Sequence, residues 1–396
     1  MTYYLLPRTS CLNYKYIDCI KYDYQPSPII SNSLSSYLYQ MKECLNNCEK
    51  DWDTFKKYTN PYEYIHSSIP YKKKSVSKHK PLSRSYFKMI EIINTFNLTF
   101  DTKPLCSFHL AEGPGGFIEA IANLRSCTYD KYVGMTILDE KNDPNIPAWK
   151  KTEHFLRQNK NVFIETGADK TGNILSLDNF TYCKEKYASS MDLVTADGGF
   201  DFSLDFNNQE INITQLLFGQ IIYALTMQKK GGVFILKIFD SFMQHSIDLL
   251  YILSSFYEKV YIIKPQTSRY ANSEKYVVCK GFLFNSCENF YPFLHRAFEK
   301  MLSFTNKNNI PELFIHRFLN APISYFFINK LEDFNAIFGQ QQIENIHYTI
   351  LLISSKHKQE KIDNLIKINI QKCIQWCMKN NVEINNLTQN CTINWL

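Results

Sequence analysis

The stretch His109-Leu110-Ala111-Glu112-Gly113-Pro114-Gly115-Gly116-Phe117-Ile118-Glu119-Ala120 decides how this chain is read. Its left half ends an apolar run, Ser107–Gly113, with the character of a buried strand, and Phe117–Leu124 continues with helical spacing. A glycine turn between strand and helix lets backbone approach a ligand closely at the carboxyl edge of a sheet. No Gly-Lys-Ser/Thr follows, so the turn is not a P-loop, and the Gly-x-Gly-x-x-Gly spacing of dinucleotide folds is absent. Glu112 before the glycines suits a ligand with a positive charge, such as the amino group of an amino acid. Taken alone, the turn could equally be a tight connection with no ligand.

Outward from the turn, apolar runs alternate with helical patterns from about residue 85 to 283. Strand-like runs fall at Lys131–Leu138, Asn161–Gly167, Met191–Ala196, Gly232–Phe239, Lys259–Lys264 and Lys275–Phe282. Helical stretches lie at Glu210–Lys229 and Phe242–Tyr257. This alternation predicts an α/β fold, a largely parallel sheet with helices on both faces. Only a loop joins the last two strands, so they are expected to pair antiparallel at the sheet edge. Residues 1–80 form an N-terminal extension with a helix near Ser36–Cys48. Residues 286–396 read as mostly helical, with an amphipathic run at Ile362–Met378 and a polar tail near Asn380–Thr392.

Composition narrows the class. The chain has 396 residues and is 45% hydrophobic, ample for a core and incompatible with disorder throughout. No apolar run reaches the roughly 18–20 residues that span a bilayer, and the start lacks the pattern of a secretory signal. A soluble intracellular protein is expected, cytoplasmic rather than nuclear. The 12 cysteines include no Cys-x-x-Cys, and the pairs Cys44/Cys48 and Cys373/Cys377 are read as reduced core thiols, with no metal expected. Net charge is +6, but Lys72, Lys73, Lys74, Lys78, Lys80, Arg84 and Lys88 cluster with no acid among them, a natural partner for phosphate.

Four polar residues stand where such a sheet binds ligands. Lys88 follows Ser83-Arg84-Ser85-Tyr86-Phe87 at the start of a helix, and Asp197 ends a strand in Ala196-Asp197-Gly198-Gly199-Phe200. Lys237 lies inside the apolar Val233–Phe239, and Glu274 opens the final strand after Ser268-Arg269-Tyr270-Ala271-Asn272-Ser273. A lysine within such a strand is costly to bury unless paired, and Asp197 is its natural partner. With these residues in view the chain resembles the FtsJ-like ribose 2′-O-methyltransferases, most closely the messenger-RNA cap branch. The matching stretches are SRSYFKMIEI, HLAEGPGGFIEA, DLVTADGGFDFS, GGVFILKIFD and KPQTSRYANSEKYVVCKGF, and the family's Lys-Asp-Lys-Glu signature maps onto Lys88, Asp197, Lys237 and Glu274.

The resemblance implies a Rossmann-like sheet of seven strands, the last antiparallel, in a core at 81–285. It implies S-adenosylmethionine as methyl donor, seated on Glu112, Gly113, Pro114, Gly115, Gly116 and Phe117 and met by Asp197, with Thr136 near its ribose or adenine and Asp169 at the adenine amino group. It implies in-line attack of a ribose 2′-hydroxyl on the sulfonium methyl. Lys237 is then a base or a steering group; at the reference pKa only about 0.04% of a lysine is neutral at pH 7. Lys72, Lys73, Lys74, Arg84, Tyr86, Arg269 and Asn272 are expected to contact RNA, with Tyr71, Tyr270 and Phe200 as further stacking candidates. The C-terminal region could bind RNA, a capping-enzyme or transcription-machinery partner, or a second copy of the chain. Flanked versions of the family occur in large cytoplasmic DNA viruses, and the Asn-, Ile-, Lys- and Tyr-heavy usage fits an AT-rich genome. A ribosomal- or transfer-RNA acceptor and a non-catalytic RNA-binding scaffold are the competing readings.

Overall fold

The apolar runs around the glycine turn fold into one mixed sheet. The computed structural model describes residues 3–9, 14–98, 104–139, 148–199, 207–303 and 313–387. Phe200, part of the proline-interrupted loop after Asp139, and the end of the polar tail lie outside the described residues. Along the chain the strands are β1 (Tyr3–Leu5), β2 (Ile17–Tyr22), β3 (Cys106–Leu110), β4 (Lys131–Met135), β5 (Val162–Ile164), β6 (Met191–Ala196), β7 (Gln228–Ile238), β8 (Tyr257–Ile263), β9 (Lys275–Phe282) and β10 (Phe314–Leu319). The helices are α1 (Asn32–Glu43), α2 (Glu49–Thr59), α3 (Ser85–Phe96), α4 (Gly116–Arg125), α5 (Glu153–Gln158), α6 (Leu177–Tyr187), α7 (Gln209–Asn212), α8 (Thr214–Met227), α9 (Gln244–Phe256), α10 (Tyr291–Leu302), α11 (Tyr325–Ser354) and α12 (Gln359–Lys379).

Eight strands form one sheet in the order β1-β8-β9-β7-β6-β3-β4-β5. From β7 to β5 the pairing is parallel, and helices cover both faces, which is why these strands read as apolar runs rather than alternating ones. The last strand, β9, is antiparallel to both its neighbours. It does not lie at the edge, where the sequence reading put the β8–β9 pair, but is inserted between β7 and β8. Its residues Tyr276–Cys279 are wholly buried, and an interior position satisfies both their backbone and their side chains. The seven strands expected of the core are β3–β9; β1 adds an eighth, pairing antiparallel with β8.

The flanking regions are joined to each other and to the core. β2 pairs with β10 across most of the sequence, and α11 packs on both α1 and α2. Asp248 on α9 receives the backbone N–H groups of Phe318 and Leu319, holding β10 on the core. No helix among the described residues is long and apolar enough to cross a membrane.

Candidate active site

Parallel pairing brings the carboxyl ends of β3, β4, β6 and β7 to one side of the sheet, Leu110 opposite both Met135 and Ala196, and Ala196 opposite Leu236. Glu112, Thr136 and Asp197 lie just beyond these ends, and Lys237 lies at the end of the β7 ladder beside them. Antiparallel β9 presents its beginning there instead, so Glu274 arrives at the same side, and Tyr276 faces Lys237 across the ladder.

Lys88, in the first turn of α3, meets both Glu274 oxygens, at 2.7 and 2.8 Å. Lys237 donates to the Asp197 backbone carbonyl at 2.6 Å and lies 3.3 Å from its carboxylate. The two pairs are linked by Tyr276, whose hydroxyl donates to Asp197 Oδ1 at 2.7 Å and lies 3.4 Å from Lys88 Nζ. Burial alone would raise the Glu274 pKa, but the charges of Lys88 and Lys237 hold it well below the carboxylate range. Burial pushes Lys88 down from the ordinary lysine value, opposed by Glu274 and Asp197. Gly199 leaves room for the lysine: a Cβ there would stand 3.1 Å from Lys237 Nζ.

Tyr276 was missed by the sequence reading because it sits in an apolar strand and looks like core. One signal was available. It lies two residues after Glu274, and side chains at i and i+2 of a strand share a face.

The turn Glu112–Phe117 links β3 to α4. Gly115 has φ +101, a left-handed conformation that other residues adopt only with strain. Gly113 and Gly116 are small for a reason other than ligand approach. A Cβ at Gly113 would lie 2.3 Å from the Ala148 carbonyl oxygen, and one at Gly116 would lie 2.3 Å from the hydroxyls of Ser83 and Ser85. Glu112 is buried behind the turn, and its burial raises its pKa. One oxygen accepts from Thr195, while Oε2 makes no hydrogen bond and has His109 Nδ1 at 3.5 Å. Thr136 follows β4, and the loop through Asp169 packs against it, with Leu138 N donating to Thr171 O. Asp169 is exposed, and its Oδ1 accepts from Thr171 and Asn179.

The residues expected to touch RNA fall into two groups. Lys73 and Lys74 are exposed, Lys72 is half-buried, and Tyr71 beside them is 92% exposed. Arg84 and Arg269 instead converge on the buried carboxylate of Glu63, a residue the sequence reading passed over. Tyr86 is buried with its ring against His79, which makes it packing. Asn272 is exposed at the tip of the loop before Glu274.

With this geometry in place, comparison with known proteins is decisive for the family. Residues 81–282 match the model of the FtsJ-like methyltransferases, just over half of the chain. The chain belongs to the FtsJ-like methyltransferase family. Among relatives of this FtsJ-like chain, cap-specific mRNA (nucleoside-2′-O-)-methyltransferase 2 of Pongo abelii is 30% identical over 92% of this chain and 46% of its own length. Cap-specific mRNA (nucleoside-2′-O-)-methyltransferase 1 of Trypanosoma brucei brucei is 30% identical over 50% of this chain and 52% of its own. The inactive cap-specific mRNA (nucleoside-2′-O-)-methyltransferase 1B of Caenorhabditis briggsae is 29% identical over 66% of this chain and 33% of its own. The FtsJ-like chain thus spans about half or less of the length of these relatives.

The methyl donor of an FtsJ-like methyltransferase is S-adenosylmethionine, and the site residues fit it. A buried carboxylate with one unbonded oxygen, set behind a glycine turn, is suited to a ligand ammonium group. Glu112 and the turn to Phe117 would hold the amino-acid end. Thr136 and the loop at Asp169 are next to each other on the side expected to meet the nucleoside.

Proposed function

We propose that the chain methylates a ribose 2′-hydroxyl at the 5′ end of capped mRNA. One observation carries the reading: Lys88, Asp197, Lys237, Glu274 and Tyr276 form a single ion-paired cluster at the sheet edge that also bears the glycine turn. The names of the relatives support the capped acceptor, and the Pongo abelii protein aligns with nearly the whole of this chain.

S-adenosylmethionine, when bound, supplies an electrophilic methyl group on a sulfonium. The protein's part is to place the hydroxyl in line with it. Lys237 is directed at the 2′-oxygen, with Asp197 fixing its ammonium through two oxygens. That double contact holds the ammonium in place to hydrogen-bond the 2′-oxygen and stabilise the negative charge that develops there as the hydroxyl proton is released to water. Lys88 and Glu274 form the opposite wall and orient the hydroxyl. The tetrad, the donor seat on Glu112–Phe117 with Thr136 and Asp169, and RNA contacts by Lys72, Lys73, Lys74, Arg84, Arg269 and Asn272 are all part of this proposal. So are the division at residues 80 and 285, a cytoplasmic location, and a partner or second copy on the C-terminal region.

The test is transfer of labelled methyl to three short RNAs: one with a methylated cap, one uncapped, and one capped with nucleotide one already 2′-O-methylated. Label in the first alone establishes a cap-dependent enzyme acting at nucleotide one. Label in the first and third moves the site to a later nucleotide, and equal label in the uncapped RNA removes the cap. No label in any RNA defeats the reading and favours a scaffold; the Caenorhabditis briggsae relative is itself named inactive.

A further inference from the structure

The loop from Pro265 to Ser273 carries Glu274 to Lys88, yet contains neither helix nor strand. Polar ties from the surrounding elements hold it. Glu91 on α3 accepts from the backbone N–H of Gln266 and Thr267 and from the Thr267 hydroxyl. Lys264 donates to the carbonyls of Asn272 and Glu274, and Gln342 on α11 donates to that of Ala271. Three further ties come from the segment before α3. The Tyr62 hydroxyl accepts from the Gln266 side chain, Arg84 donates to the Thr267 carbonyl, and Glu63 grips Arg269 with both oxygens, at 2.7 and 3.0 Å.

Glu63 is the hub. Its carboxylate is fully buried, with Arg84 Nη1 at 3.5 Å and further hydrogen bonds from Asn60 and Ser67. Two guanidiniums therefore share one buried carboxylate, one belonging to the loop that ends at Glu274 and the other touching it. A buried ion pair often adds little net stability, because desolvation offsets the attraction. Its geometric effect is then the more telling part.

We propose that Glu63 is a positioning residue for methyl transfer, anchoring Arg269 of the loop and Arg84, which ties the Thr267 carbonyl, so that the loop delivers Glu274 to Lys88. The idea rests on the methyl-transfer reading. It makes the segment before the core, in which the sequence shows no catalytic motif, a working part of the acceptor side.

The experiment compares the full chain with Glu63→Gln and Glu63→Asp. It measures methyl-transfer kinetics, S-adenosylmethionine dissociation and amide hydrogen exchange. Glu63→Gln is expected to lower kcat by about 10- to 100-fold, the scale of a small misplacement of a catalytic group. Donor binding should be unchanged, faster exchange should be confined to residues 266–276, and Glu63→Asp should recover part of the activity. Wild-type kcat in Glu63→Gln, or faster exchange throughout the protein with no recovery in Glu63→Asp, overturns the proposal. If the wild-type chain methylates no RNA, the functional reading fails, and exchange in the loop alone decides whether Glu63 holds it.

Discussion

At the scale of single residues, the donor-side and acceptor-side roles proposed for the cluster can each be tested. On the proposed reading Lys237 faces the 2′-oxygen, so Lys237→Ala should abolish turnover while donor binding, measured by calorimetry, stays intact. Lys237→Arg keeps a charged donor that cannot act as a base, and measurable residual turnover is expected if Lys237 steers the hydroxyl. Tyr276→Phe removes a hydrogen bond to the Asp197 carboxylate, worth about 1.5–3 kcal/mol for a charged acceptor, and kcat should fall by roughly tenfold or more. Glu112 gives a pH-dependent prediction. Burial raises its pKa, so protonation begins at a higher pH than for an exposed glutamate, and only the ionised form attracts a cation. Affinity for S-adenosylmethionine should therefore weaken as pH falls through that raised pKa, and Glu112→Gln should bind weakly at every pH. Equal affinity of wild type and Glu112→Gln would remove Glu112 from the donor seat.

At the scale of elements, the glycine turn is fixed by its backbone as much as by its ligand. A bulky residue at Gly115, such as Leu, meets a φ of +101 that costs about 1–2 kcal/mol, and would crowd Trp149 3.4 Å away. Donor binding should be lost while the fold, followed by circular dichroism, survives. Much at this scale is visible in the sequence. Met191–Ala196 and Lys275–Phe282 have the same bounds in both readings, because each is a short apolar run closed by turn residues. The insertion of β9 between β7 and β8 is not visible, since strand order depends on long-range packing that no local pattern encodes. Glu63 was hidden for a related reason: its partners, Arg84 and Arg269, are 21 and 206 residues away, and the segment around it has no motif.

At the scale of the whole molecule, net charge is modest, and the proposed RNA contact rests on where that charge is placed. Lys73 and Lys74 stand exposed on a turn with Lys72 beside Tyr71, whereas Lys78 of the same run is paired with Glu383. Changing all three lysines to Glu should weaken RNA binding and flatten its salt dependence, by up to about 0.7 in the logarithmic slope per lost phosphate contact, leaving donor affinity alone. An unchanged salt slope would exclude this turn from the RNA path. The architecture also bears on how copies of the chain behave towards one another. Both outermost strands of the large sheet, β1 and β5, are three residues long, and next to β5 the Lys131 ammonium lies over the Phe163 ring. So short a margin gives another molecule's strand little to zip onto, and places a charge where an intruder would dock. A sheet with eight strands is thereby kept from growing by polymerisation, a protection that matters most when the protein is made at high concentration.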